Sequence, residues 1–385
     1  MALPMMARAL AARGIQVDVA TTDDDGPGRR LKDMPQGAPV EQEGFRVFYF
    51  PKQTEFYKVS IPLWIWLCRN VTKYDVVHVH AVFSFSTLAA GWACRLRRVP
   101  YIVRPLGVLN AWGMNNRRRW IKTLSFRLLD KPVLDHASAI HYTSAQEADE
   151  AARLGLRARS VVIPLGIDLK PFLSLPSPEL FTTRFPETAG RPVILFLSRL
   201  DPKKNVELLL EAMTRLGSEK SNPIRPNPTG SDSLLVIAGS GTPAYVAELK
   251  ARAWALGLEK RVVWAGHLEG DVKLSALAAA TVYVLPSHSE NFGIALLEAM
   301  AAGLACVSTA GVALAVEAAN EEAVLLSEGA PQKLAGMLNR LLSNPSERHA
   351  LEVAAAQLAQ RKYSSEVMSK SLESLYDDIV KTKTE

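Results

Sequence analysis

Cysteine is scarce in this chain of 385 residues: Cys68, Cys94 and Cys306 stand far apart, in neither an even-numbered framework nor a metal-ligand spacing. That excludes a disulfide scaffold, implies a reducing compartment, and leaves all three as small core residues. Long apolar runs are also missing. The nearest, "IPLWIWLC" from Ile61 to Cys68, is less than half of the roughly 20 residues that a spanning helix needs. The start, "MALPMMARALAARG", lacks a basic cluster ahead of an apolar core, and its spacing of Ala and Arg reads as an amphipathic helix. The expected location is the cytoplasm. No aromatic and basic interleaving, helix-turn-helix or zinc spacing is present, so a nucleic-acid partner is not expected.

What is present is a globular composition, 48% hydrophobic and 22% charged, at a length that predicts two domains. Positive charge is concentrated in the first half. Residues 1–170 hold 24 Lys and Arg against 15 Asp and Glu, a balance of +9, and the remainder carries −3. An anionic acceptor or an anionic membrane surface matches that excess.

Strand-like runs alternate with helical patterns along the whole chain. "IQVDVATT", "FRVFYF", "DVVHVHAV", "YIVRPLG", "AIHYTS" and "SVVIPLG" occupy the first half, and "PVILFLSRL", "SLLVIAGSG", "RVVWAGH", "TVYVLPSHS" and "ACVSTAG" the second. Near-continuous Val, Ile and Leu strands with helices between them predict α/β domains with parallel sheets covered on both faces, here two Rossmann-like domains. Residues 1–170 form the first and 191–362 the second. A proline-rich stretch at 171–190 reads as the linker. Helix 363–380, with a stripe of Val367, Leu372, Leu375, Tyr376 and Ile379, closes the chain. "GSEKSNPIRPNPTGSDS", Gly217 to Ser233, reads as a surface insertion. Such a sheet normally opens with a strand and a glycine-rich turn, whereas this chain opens in the helix, so either a truncated start or a misplaced gene start is expected.

Ligands of open α/β sheets bind at the carboxyl ends of the strands. After "VILFL" come Ser198, Arg199 and Leu200, then Lys203 and Lys204 ahead of a helix. Cations at a helix N-terminus suit a diphosphate, although a solvated loop with ordinary surface cations reads the same way. Gly239 and Gly241, after "LLVIA", allow close backbone approach, or simply make a turn. "SHSENFGIALLEAMAAG" places Glu290 in a loop and Glu298 inside a helix that begins near Asn291 to Gly293 and stops at Gly303. Eight positions separate the two carboxylates, roughly 12 Å along a helix axis, too far for a shared proton. They suit different parts of one extended ligand, for instance a ribose and a hexose with a diphosphate between them. Free N–H groups of Phe292, Gly293 and Ile294 would face the same crevice.

"SRLDPKKN", "LLVIAGSG", "VVWAGH" and "PSHSENFGIALLEAMAAGLACVST", in that order, resemble the retaining glycosyltransferases of the GT-B fold, the large group 1 family (family four) with its glutamate, seven residues, glutamate signature. "DVVHVHAVFSFSTLAAGWACRLRRVPYIVRPLG" is similar to that family's N-terminal lobe, so the resemblance covers nearly the whole chain. It implies two Rossmann-like domains facing a central cleft, with the terminal helix crossing back to the first. It further implies that Arg199 and Lys204 hold the diphosphate of a UDP- or GDP-sugar, with no metal and no other cofactor. Glu298 would bind ribose hydroxyls, and Glu290 would sit beside the donor sugar, with Asn291, Phe292, Gly293 and Ile294 offering backbone contacts. Transfer with retention onto a glycan or polyprenyl-linked acceptor in cell-surface polysaccharide synthesis follows. An inactive nucleotide-sugar-binding protein and a nucleotide-sugar epimerase on the same scaffold are the alternatives.

Departures from the family pattern are visible. Leu106 stands in "RPLG" where many relatives carry histidine, so a histidine-assisted step there is excluded. Lys204-Asn205 replaces lysine-glycine, and Pro164-Leu165-Gly166 replaces Pro-Asn-Gly. Asp23 and Asp25 in "TTDDDG" fit a metal-binding spacing but read as a solvated turn. His78 and His80 alternate on a strand, one expected to line the crevice and one to be core, and neither is assigned as a base; His288 lies beside Glu290 but could face away. Trp64, Trp66, Trp112 and Trp120 with "NNRRRWIK", Asn115 to Lys122, would suit an inner-membrane surface, or equally a core segment and a wet helix face.

Overall fold

The computed structural model describes residues 2–109, 123–216 and 232–384. Trp112, Trp120 and Asn115 to Lys122 lie outside them, as do residues 217–231 of the expected insertion. The chain divides into two compact units: residues 1–166 with 365–385, and residues 167–364.

In the first unit, β1 (Asp18–Thr22), β2 (Pro39–Glu41) and β3 (Arg46–Phe50) form a sheet of order β1-β3-β2, with β1 parallel and β2 antiparallel to β3. Asp18 lies opposite Arg46 and pairs with it at 2.7 Å. A second sheet, all parallel, runs β4 (Val77–His80), β5 (Tyr101–Arg104), β6 (Ala139–Tyr142) and β7 (Ser160–Val162) in chain order. Every residue of β5 and β6 is buried, as strands covered on both faces require. Among the described residues β1 and β4 do not pair with each other.

Helix Ile61–Asn70 starts at Ser60, whose hydroxyl accepts from the Leu63 N–H at 3.3 Å. Trp66 packs on Phe48 and Phe50, and Trp64 on Phe85 and Trp92. Both tryptophans thus belong to the core side of the segment, while Ile61 and Ile65 stay exposed. The C-terminal helix Ser365–Thr384 packs on helix Ala2–Ala11, with Leu372, Leu375 and Ile379 buried and Val367 left exposed. Arg13 on this side binds Glu373 at 2.6 Å.

The second unit contains one parallel sheet of β8 (Val193–Leu197), β9 (Leu234–Ala238), β10 (Val262–Gly266), β11 (Val282–Leu285), β12 (Cys306–Thr309) and β13 (Leu325–Ser327). Its order is β10-β9-β8-β11-β12-β13. Strand order therefore reverses between β8 and β11, which is the topological switch point of a doubly wound sheet.

The stretch 171–190, read as a linker, lies inside this unit. Its prolines broke the periodicity but stand at helix starts, Pro171 in Lys170–Leu173 and Pro178 ahead of Glu179–Arg184. Phe181 is fully buried, its N–H donates to Ser275 Oγ at 2.9 Å, and that hydroxyl donates to the Ser177 carbonyl at 2.7 Å. No helix among the described residues is long and apolar enough to cross a membrane. Cys94 and Cys306 are buried, and Cys68 is half-buried. Burial pushes the Cys94 thiol up to about 12.

Candidate active site

Four loops at the carboxyl ends of β8, β9, β11 and β12 meet around the switch point. The loop after β8 carries Ser198 to Asn205. Asp201 accepts from the Lys203 N–H at 3.0 Å and so closes the short turn Pro202–Lys204. Asn205 then takes a left-handed φ of 54° and opens helix Val206–Met213. Asparagine tolerates that conformation, which explains how it replaces the family's glycine.

The loop after β9 runs beside it. Leu200 N–H donates to the Ser240 carbonyl at 2.8 Å, and Ser198 N–H to that of Ala238 at 3.0 Å. A Cβ on Gly239 would lie 1.8 Å from the Ser198 carbonyl oxygen, and one on Gly241 2.3 Å from that of Leu200. Close approach at both glycines is therefore to protein backbone. Packing of the two loops is thus a reason for glycine at both positions that needs no ligand.

After β11, the His288 N–H donates to the Lys203 carbonyl at 2.8 Å, and Glu290 N–H to that of Gly311 at 2.7 Å. Thr309 at the end of β12 adds a hydroxyl bond to the Ser287 carbonyl at 2.5 Å. The Glu290 backbone is thus fixed from the β12 side, and its carboxylate forms an ion pair with Lys204 Nζ from the β8 side. Sequence spacing brought neither fact to view. Burial, followed by the charge of Arg199, pushes the Lys204 ammonium down to about 8. Arg199 itself is exposed.

Helix Ile294–Ala301 begins at Gly293, whose φ of 103° and 2.7 Å approach of a Cβ to Val312 Cγ1 allow only glycine. Phe292 is buried with its ring 5.8 Å from that of Tyr363. Its side chain anchors the helix entry, leaving only its backbone for a ligand. Asn291 and Ile294 are half-buried at the same turn. Glu298 lies one turn further along and is held by Lys273, Nζ to Oε1 at 2.7 Å. Lys273 was not singled out in the sequence, because it lies on helix Gly270–Ala279 with no local motif around it.

In the first unit, the Asp23 reading needs correction. Asp23 is buried, accepting from Arg30 Nε at 2.9 Å and from the Lys52 N–H at 2.8 Å, so it is no solvated turn. Burial pushes its carboxyl up, but these partners bring it below the usual range. His78 and His80 share one environment instead of two: their rings stack at 4.6 Å. His78 Nδ1 lies 2.8 Å from the Tyr376 hydroxyl. Burial lowers both imidazoles well below the usual histidine range, and they stay neutral. Leu106 is partly exposed at φ 60°, next to Gly107, whose N–H donates to buried Glu147 at 2.6 Å.

Comparison with known proteins follows the same division. Residues 181–358 match the family model "Glycosyl transferases group 1", and residues 2–166 the model "Glycosyl transferase 4-like domain". The D-inositol 3-phosphate glycosyltransferase of Xylanimonas cellulosilytica is 28% identical over 398 residues, which covers 98% of this chain and 91% of that protein. Sucrose-phosphate synthase from Thermosynechococcus elongatus superposes with a TM-score of 0.77 at 22% identity, over 99% of this chain and 93% of that one. Anabaena HepE in complex with UDP-glucose gives 0.71 at 18%, over 94% and 99%. At such identities structural likeness carries the fold, not the substrate.

Proposed function

Because the chain belongs to the group 1 glycosyl transferases and has the GT-B fold, we propose that it moves a sugar from a UDP-sugar, with retention and without a metal, onto a glycan or polyprenyl-linked acceptor in cell-surface polysaccharide synthesis. One observation carries this reading. Arg199, Lys204, Glu290 and Glu298 all belong to the second unit and follow strands at or beside the switch point, and two of them are already in contact.

In this reading the donor diphosphate takes over Lys204 and lies against Arg199, two cations that neutralise the charge developing on the leaving nucleotide. Glu290, released from Lys204, accepts from hydroxyls of the donor sugar, and Glu298 accepts from the ribose. The bond from anomeric carbon to phosphate oxygen breaks as the acceptor oxygen attaches to the same face. The acceptor proton passes to the departing phosphate. HepE, a relative in fold, is solved with UDP-glucose, so UDP-sugars are the first donors to try, with GDP-sugars beside them.

Acceptor chemistry has a second reading. The relative from Xylanimonas is named for D-inositol 3-phosphate, and the basic excess of residues 1–170 suits a phosphorylated polyol as well as a polyprenyl-linked one. A panel of UDP- and GDP-sugars, scored by nucleotide release with each acceptor class, tests the proposal. Release of UDP only with acceptor present is expected. A donor whose sugar is altered without nucleotide release would make the protein an epimerase, and binding without turnover would make it a binding protein.

A further inference from the structure

We infer that Lys273 is a positioning residue for the donor ribose, acting through Glu298. The inference rests on the reading of Glu298 as the ribose acceptor and adds the side chain that makes it one. Glu298 projects from helix Ile294–Ala301 among buried neighbours: Leu297 and Ala299 flank it, and Leu296 and Met300 lie close in sequence. Its side chain retains only 18% exposure, and that of Lys273 20%. A carboxylate so placed is free to rotate about its last torsion unless something fixes it.

Lys273 does so from a different helix, Gly270–Ala279, which follows β10 on the far side of β8 and β9 from β11. Its ammonium binds Oε1 at 2.7 Å. Ammonium is donor-only and ionised carboxylate acceptor-only, so the contact holds one oxygen and leaves the lone pairs of Oε2 for neutral hydroxyl donors. A pair of adjacent ribose hydroxyls is such a donor set. Charge-assisted hydrogen bonds of this kind are the strong ones, and they depend on a fixed orientation. Lysine here therefore holds one carboxylate oxygen and sets the plane in which the other accepts.

A simple staple between two helices would look the same in the free protein. Discrimination between ribose and deoxyribose separates the two, because a staple alone weakens every nucleotide equally. The test measures affinity of the full-length protein for UDP and for 2′-deoxy-UDP by titration calorimetry, in wild type, K273M, K273Q, K273R and E298Q, with thermal melting of each.

In wild type UDP binds about tenfold more tightly than 2′-deoxy-UDP, the size expected of one hydrogen bond to a charged acceptor. K273M and K273Q bring that ratio close to one, and K273R restores most of it. If K273M does not fold, K273Q carries the same comparison. Should E298Q lose the discrimination while K273M and K273Q keep it, Lys273 is only a staple and the inference fails while the reading of Glu298 stands. Should E298Q keep it, Glu298 does not read the ribose, and the reading and the inference fall together.

Discussion

Lys204 and Glu290, 86 positions apart in sequence, form an ion pair that ties the loop after β8 to the loop after β11 at the point where the sheet reverses its strand order. Lys204 is buried at 7% exposure, so its charge needs a partner whether or not a ligand is present. Glu290 fills that role in the free protein, and a diphosphate would compete with it.

Competition of this sort gives an unusual signature for Glu290 if it faces the donor sugar as proposed. Glu290→Gln removes the carboxylate from the donor sugar and at the same time frees Lys204 for phosphate. Turnover should fall by about 100-fold or more, the scale of losing one preorganised electrostatic contact, while affinity for UDP stays equal or rises. Steady-state kinetics and calorimetry on the same preparation decide it. Loss of UDP affinity in step with turnover would show that Glu290 supports the nucleotide instead.

Lys204 also sets a pH dependence. Its value is pushed down to about 8, from an ordinary 10.5, by burial first and Arg199 second. Only the protonated form attracts the diphosphate, so UDP affinity should be flat below pH 7 and fall as pH rises through about 8, by up to tenfold per unit. The stability linkage has its own sign: the unfolded chain holds more protons than the folded one between about 8 and 10.5, so this group favours folding increasingly as pH rises across that window. Lys204→Arg, always charged, should bind UDP with little dependence on pH over the same range. A wild-type profile that stays flat to pH 10 would remove Lys204 from the diphosphate site.

Gly239 separates two explanations of one glycine turn by stability and UDP affinity together. Its Cβ would meet the Ser198 carbonyl at 1.8 Å, so Gly239→Ala must push two loops apart. An unfolding cost of about 3 kcal/mol is expected, at the upper end for overpacking, and denaturant titration measures it. If the glycine served only to admit a ligand, the variant would keep its stability and lose UDP affinity.

Much of this fold was legible, and the failures have physical causes. β8, β9 and β11 declared themselves as near-continuous apolar runs, "VILFL", "LLVIA" and "VYVL", because both faces of such strands are buried. β2 and β13, three residues each, did not stand out, whereas the equally short β7 did in "SVVIPLG"; β2 sits in no longer run of Val, Ile and Leu. The four candidate residues could be picked out because each lies in a loop after a strand or in the helix that follows it. Their partners could not. Lys273 lies 25 positions before Glu298 on another helix, and nothing in its own neighbourhood marks it. Asp23 was misread for the same reason, since Arg30 and the Lys52 amide reach it only after folding. Proline density at 171–190 signalled an interrupted pattern correctly but not what followed, because proline both ends regular structure and begins helices.

Phe181 makes that last point measurable. A linker tolerates truncation of an aromatic side chain, whereas a residue wholly enclosed by one unit does not. Phe181 is 0% exposed, its ring lies 4.9 Å from that of Phe185, and its N–H is bound by Ser275 of helix Gly270–Ala279. Phe181→Ala should therefore lower unfolding stability by about 3–5 kcal/mol through lost burial and the cavity left behind. Ser275→Ala should cost about 0.5–1.5 kcal/mol, because the Phe181 amide and the Ser177 carbonyl each lose one hydrogen bond but keep the Pro178 carbonyl and the Leu180 N–H as partners. The two residues touch, so the double variant should lose less than the sum. Denaturant unfolding of the three variants checks this, and an unchanged midpoint for Phe181→Ala would return 171–190 to the status of a connector.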